Sequence, residues 1–170
     1  MGTQQILLIV LSVIIVGAAI AVGIQMFNSQ AYSANKTAIA ADAQSYASQI
    51  VQYYKTPESQ GGLGGDMYVG GDGITTGATG TLVTAEKIAN FIGWGSTTEG
   101  ETTTANTMKN DNGEFEISSV TTNPVETVVI KGTGKEEQGG KNPVITTTIT
   151  FPAGTITAVA TDEDVATEED

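Results

Sequence analysis

Three patterns of apolar and polar positions succeed one another along this chain, and each predicts a different kind of element. From Ile6 to Phe27 the run ILLIVLSVIIVGAAIAVGIQMF is apolar all round, broken only by Ser12, Gly17, Gly23 and Gln25. As a helix, Ile6 to Ile24 would span roughly 28 Å, about one hydrocarbon thickness. From Asn28 to Lys55 the pattern becomes one-sided. Tyr32, Ile39, Tyr46 and Tyr53 recur every seven residues, with Ala43 and Ile50 four after Ile39 and Tyr46, which lays a single stripe along a helix. Ala34, Ala38, Ala40, Ala41 and Ala47 add helix propensity. With no proline before Pro57, one helix of about 80 Å is expected from Thr3 to Lys55, ending where Thr56 precedes Pro57.

Beyond Pro57 the period shifts from helical to alternating. Gln60 to Gly80 is glycine-rich and reads as a flexible surface loop. Thr84 to Trp94 carries an N-cap in Thr84, apolar Ile88, Phe91 and Ile92 at helical spacing, and Gly93 as a stop, so a short amphipathic helix is expected. Gly95 to Thr107 reads as loop, and Asn110-Asp111-Asn112-Gly113 as a turn. Strands are expected at Glu114 to Thr121, Glu126 to Lys131, Val144 to Phe151 and Thr155 to Ala160, the last two forming a hairpin about Pro152-Ala153-Gly154. Gly132 to Asn142 reads as a polar link.

The expected fold is therefore α+β, a long N-terminal α-helix packed on a small antiparallel β-meander of about four strands. Its parts are an apolar helix over 1–27, an amphipathic continuation over 28–56, and a Gly/Thr-rich region over 57–112 with the short helix at 84–94. The sheet follows over 113–160, and an acidic tail over 161–170. Tyr32, Ile39, Tyr46, Ile50 and Tyr53 are expected to cover the apolar face of the sheet.

Composition narrows the chemistry. The chain has no Cys and no His, and a net charge of −12 from 7 basic and 19 acidic residues. Imidazole bases, thiol nucleophiles and the usual nitrogen or sulfur metal sites are excluded, and nothing in the charge balance favours binding nucleic acid. An enzyme is not expected, and no cofactor. The low charged fraction of 15%, with abundant Thr, Gly and Ser, suits an exported surface. Six of the last nine residues are acidic, which reads as a solvated tail. Two small motifs stand apart. Gly61-Gly62-Leu63-Gly64-Gly65-Asp66-Met67-Tyr68-Val69 fits a calcium-binding nonapeptide, with Asp66 the candidate ligand, against the simpler reading of a surface loop. Asn35-Lys36-Thr37 is a glycosylation sequon at Asn35.

Met1 to Gln5 has no Lys or Arg and the apolar run is long, so a retained membrane helix is expected rather than a cleaved secretory signal. A membrane-length N-terminal helix that continues as an amphipathic helix over an antiparallel meander resembles the type IV pilin family and its pseudopilin relatives. The likeness is architectural over the whole chain and extends to sequence pattern in the first 55 residues. Met1-Gly2, followed by Thr3, Gln4, Gln5 and the apolar run, is similar to the family's leader, in which a Gly precedes the cleavage site. The resemblance implies processing by a prepilin peptidase between Gly2 and Thr3. Leu7 stands at the fifth mature position, where the family carries Glu.

The resemblance further implies a structural subunit of an extracellular pilus-like filament that polymerises through this helix. The filament core would comprise Ile6, Leu7, Leu8, Ile9, Val10, Leu11, Val13, Ile14, Ile15, Val16, Ile20, Val22, Ile24 and Phe27, with small Ala18, Ala19, Ala21 and Gly23 letting helices approach. Its partners would be further copies of itself, the pilus assembly machinery and, before assembly, the cytoplasmic membrane. Its destination would be the cell surface. The alternative is a single-pass anchored surface or periplasmic binding module that does not polymerise.

Overall fold

Helix α1 runs unbroken from Gly2 to Lys55, 54 residues, in a computed structural model that describes residues 2–69, 81–94, 106–121 and 126–164. Among the described residues, nothing covers its first half. From Tyr32 onward it lies across a five-stranded antiparallel sheet, and Tyr32, Ile39, Ala43, Ala47, Ile50, Tyr53 and Tyr54 are its buried residues. The sheet comprises β3 (Thr107–Lys109), β4 (Gly113–Thr121), β5 (Thr127–Gly134), β6 (Lys141–Thr150) and β7 (Thr155–Asp164), hydrogen-bonded in chain order. A separate two-stranded ribbon pairs β1 (Tyr68–Val69) with β2 (Thr81–Leu82), and helix α2 spans Ala85–Phe91.

Alternation decides which side of the sheet faces α1. Phe115 and Ile117 on β4, Val128 and Ile130 on β5, and Ile145 and Ile149 on β6 meet Ile39, Ala43, Ala47 and Ile50 in one buried cluster. Burying each large aliphatic side chain contributes about 1.5–3 kcal/mol. The helix also approaches the sheet very closely at its upper end, because Gly132 and Gly134 occupy inward-facing positions of β5. A Cβ at Gly132 would lie 2.7 Å from Ile39 Cγ2 and 2.8 Å from Phe115 Cε1, and one at Gly134 would collide with Asn35 and Ile39. Thr147 shares this inner face at 1% exposure, and its hydroxyl has no hydrogen-bond partner among the described residues. Replacing it with the isosteric valine removes an unsatisfied buried hydroxyl. Thr147→Val is expected to raise stability by about 1 kcal/mol, read as a higher melting temperature by circular dichroism.

Aromatic rings fill the space between α1 and its neighbours. Tyr46, half-buried, meets Trp94 and Phe115 edge-on with ring centroids 5.2 Å apart in both pairs. Tyr53 stacks on Phe91 at 4.1 Å, and Tyr54 stacks on Phe151 at 4.2 Å. In α2, Thr84 caps the N-terminus by accepting from the Lys87 amide at 3.3 Å. Its buried residues are Ile88 and Ala89, while Phe91 is 44% exposed, so the expected face of Ile88, Phe91 and Ile92 is rotated. Slender Ala89 lets that edge sit deep, leaving Phe91 on the rim against Tyr53.

Several expected boundaries move. The sheet has five strands rather than four, because β3 pairs with β4 from Thr107↔Glu116 to Lys109↔Glu114, and three residues are too few to show alternation. The supposed polar link 132–142 is in part strand: β5 continues to Gly134 and β6 begins at Lys141, the glycines being the residues that admit α1. The start of the supposed acidic tail, 161–164, is the end of β7, paired with β6 as far as Lys141↔Asp164. Nor is the beginning of the glycine-rich stretch a free loop. The amides of Leu63 and Gly65 donate to carbonyls in the last turn of α1, those of Tyr53 at 3.1 Å and Tyr54 at 2.8 Å, and that of Gly64 donates to Thr56 O, just past the helix, at 2.8 Å, which closes its C-terminal end. Leu63 and Met67 are buried beneath it.

Candidate functional site

Among the described residues, the first half of α1 is the feature with nothing packed on it. Every large apolar residue from Ile6 to Phe27 is uncovered, from Leu11 at 50% to Phe27 at 72% exposure. Gly2, Gly17 and Gly23 have open space around them, and Thr3 lies in the first exposed turns. A helix that is apolar on all sides for a hydrocarbon thickness suits insertion into a membrane or burial among other helices, since water solvates neither its side chains nor its length favourably.

Past the apolar run, the side of α1 turned away from the sheet carries Ser29, Gln30, Ser33, Ala34, Thr37, Ala41, Gln44, Ser45, Ser48 and Gln52, all exposed. None is charged. Between Gly2 and Tyr54 the charged residues are Lys36 and Asp42, and the sheet engages both. Lys36 Nζ reaches Asp162 Oδ1 at 2.9 Å. Asp42 Oδ2 accepts from Asn110 Nδ2 at 2.9 Å and Asn112 Nδ2 at 2.8 Å. The uncovered face is thus free of charge for about 36 Å beyond the apolar run. Its hydroxyls are partly satisfied within the helix, Thr37 donating to Ser33 O at 3.0 Å and Ser48 to Gln44 O at 2.9 Å, as Ser12 donates to Ile9 O at 2.8 Å inside the run. Such hydroxyls enter a dry surrounding without leaving an orphaned donor. The sequence contained this signal in the placement of its charges, but which face they occupy required the sheet.

The turn Asn110-Asp111-Asn112-Gly113 grips α1. Asn110 Oδ1 accepts from the amides of Asn112 and Gly113, both at 2.9 Å, holding the turn while the two side-chain amides reach Asp42. Asn35 belongs to the same clasp. Its Nδ2, the atom a glycan would occupy, donates to Asn112 O at 2.8 Å from within a helix, so in this fold Asn35 joins helix to turn. Asp66 is half-buried beside the helix end, and no cluster of three or more potential metal ligands exists among the described residues. The second part of the nonapeptide pattern, from Gly70 onward, lies outside them.

The end of β7 is latched by three ion pairs from three elements: Lys36 of α1 to Asp162 at 2.9 Å, Lys131 of β5 to Glu163 at 2.7 Å, and Lys141 of β6 to Asp164 at 3.0 Å. Tyr32 adds a hydrogen bond to Asp162 at 2.6 Å. Burial and that carboxylate push the Tyr32 phenol up to about 12. The hydrogen bond from Tyr32, then Lys36, holds the Asp162 carboxyl below its ordinary range. A carboxyl whose folded value is lowered contributes stability above its unfolded value, near 3.9, and loses it as pH falls through the folded one. Acidification below about pH 4 is therefore expected to unlatch Thr161–Asp164 before the Ile39 core opens. Loss of hydrogen-exchange protection at those amides would show it, and Asp162→Asn should abolish that acid step. Similarly, burial and Glu126, which accepts from Tyr54 Oη at 3.1 Å, raise the Tyr54 phenol to about 12.

The molecule thus defines an α+β architecture, a long apolar-tipped N-terminal helix laid on an open antiparallel sheet. No family model, no curated protein and no solved structure matches the chain.

Proposed function

We propose that this chain is a structural subunit of an extracellular type IV pilus-like filament, held in the cytoplasmic membrane by α1 before assembly and polymerising through the same helix. The observation that carries the reading is the continuity of the uncovered face. An anchor needs only the apolar span, Ile6 to Phe27, and its helix above the membrane would face water with the usual Lys and Glu. Here the outward face stays charge-free as far as Gln52 in a chain of net charge −12. Depletion of charge is the compositional mark of the centre of a protein–protein interface. Helices that all leave one membrane pointing the same way and pack along this face form a heterologous, open assembly. In it, the apolar run exchanges lipid for other apolar helices at little free-energy difference.

The remaining parts take structural roles: the sheet and its Thr-rich outer strands form the filament exterior, the assembly machinery is the partner during extrusion, and a prepilin peptidase cutting between Gly2 and Thr3 accounts for the polar head. Shearing filaments from the cells that make this protein and identifying their main component by mass spectrometry tests the reading. The expected result is this chain with Thr3 as its N-terminus. Recovery solely from detergent-extracted membrane would overturn polymerisation in favour of a monomeric anchored module.

A further inference from the structure

Beside α1, where its charge-free side meets the turn before β4, an open groove of about 310 Å³ has Ala31, Ala34 and Ala38 along one wall. Asp111 and Glu136 stand on the other, the first from the Asn110–Gly113 turn and the second from the link between β5 and β6. Both are exposed, and neither forms an ion pair among the described residues. The adjacent Lys135 gives its ammonium to Asn110 O at 2.6 Å. Asn35 ties the two walls together, donating to Asn112 O at 2.8 Å and accepting from the Glu136 amide at 3.4 Å.

We propose that this groove receives the amino-terminal turn of α1 from a second copy of this chain, displaced along the helix direction by about 46 Å, with its ammonium turned to Asp111 and Glu136. This contact rests on the assembly reading above and adds which part of one copy meets which part of the next. Charge selects the occupant. Whatever covers two carboxylates beside an uncharged face must bring a positive charge or leave them unpaired. In α1 before Lys55 the side-chain cation is Lys36, which Asp162 already holds. The remaining positive charge is the α-amino group, carried by Thr3 once the chain is cut after Gly2 and protonated at neutral pH. The first turn of α1 holds no acid to neutralise it, and the helix dipole adds to it.

Length fixes the displacement. Thr3 to Ala34 is 31 residues of helix. With that offset and parallel helices, Ile6 of the displaced copy lies level with Thr37, and its Ala21 with Gln52. The charge-free side of one copy is then covered along its length by the apolar run of the next. The first charge beyond it, exposed Lys55, falls level with Ile24, where the hydrocarbon-length part of the run ends. Two copies in axial register match less well. Their ammonium groups would sit side by side without an acid, and each apolar run would leave the Thr37 to Gln52 side of its neighbour uncovered.

The chain has no cysteine, so introduced thiols report without interference. The full chain carrying Gln4→Cys and Ala34→Cys, at two exposed positions, is expected to give a ladder of covalent oligomers when sheared filaments are oxidised. Gln4→Cys with Ala38→Cys reads the same contact about one helical turn further along, and a ladder from either pair upholds it. Each single variant should remain monomeric, and Thr3 as its N-terminus, read by mass spectrometry, confirms normal processing. Filaments seen by electron microscopy without a ladder from either pair overturn the contact and leave assembly through α1 standing. Dimers from Gln4→Cys alone overturn it in favour of copies in axial register. A ladder from the membrane fraction alone overturns it too, because helices anchored in one membrane stand at one height. A parent that yields no filaments overturns the assembly reading, and this contact with it. The charges are read separately: Asp111→Asn with Glu136→Gln is expected to cut filament yield roughly tenfold while the melting temperature stays that of the parent. Parental yield from that variant overturns the pairing of the two carboxylates with the ammonium.

Discussion

Replacing Gly132 with valine is expected to push α1 off the sheet and lower the melting temperature of the folded half by roughly 10 °C or more. The reason is geometric. The inward side of β5 at Gly132 is filled by Ile39 and by Phe115, which would stand 2.7 and 2.8 Å from the first added carbon. Those two residues are 0% exposed, so neither has room to withdraw. Overpacking at such a site costs about 1–3 kcal/mol, and about 1 kcal/mol shifts the midpoint of a domain of this size by several degrees. The Asn35–Asn112 and Asp42–Asn110 contacts would loosen with it, since they bridge the same stretch of helix and sheet. Gly17→Ala is the control outside the folded half: its added carbon meets nothing within 4 Å and alanine favours the helix, so the midpoint should not fall. A Gly132→Val protein that melts with the parent would show that the close helix–sheet approach does not hold the fold together.

The second large effect is on assembly. Ala41→Glu places a carboxylate on the charge-free face, away from the sheet and beyond the apolar run. Folding and membrane insertion should be unchanged, because neither the core of Ile39, Ala43 and Ile50 nor the span Ile6 to Phe27 is touched. Filaments should be lost. Each copy would bury an unpaired charge among neighbouring helices, a cost of several kcal/mol per subunit that recurs along the polymer. The comparison that isolates the cause is Ala41→Gln, which is larger but uncharged and should assemble at least in part. Wild-type filament yields from Ala41→Glu would show that this face is solvated in the assembled state and would remove the main support for polymerisation.

Much of the fold was legible in order along the chain because each element declares itself by period. The apolar run, the seven-residue recurrence of Tyr32, Ile39, Tyr46 and Tyr53, and the stop at Thr56-Pro57 depend on neighbours within a few residues, and the helix begins and ends where they place it. Alternation found β4 and β5 and the β6–β7 hairpin for the same reason. What escaped had no local signature. Gly132 and Gly134 read as part of a polar link, yet they sit inside a strand because α1 needs the space their missing side chains leave. Asp162, Glu163 and Asp164 looked like a solvated tail, yet they end a strand because Lys36, Lys131 and Lys141 come to them from three elements.

The candidate interface divides in the same way. That Ile6 to Phe27 must leave water is a property of composition, and the sequence by itself determined it. That the rest of α1 presents a charge-free side was decided only by the tertiary structure. Lys36 and Asp42 are charges on a helix until the sheet draws both toward itself, and the opposite face has none left to show.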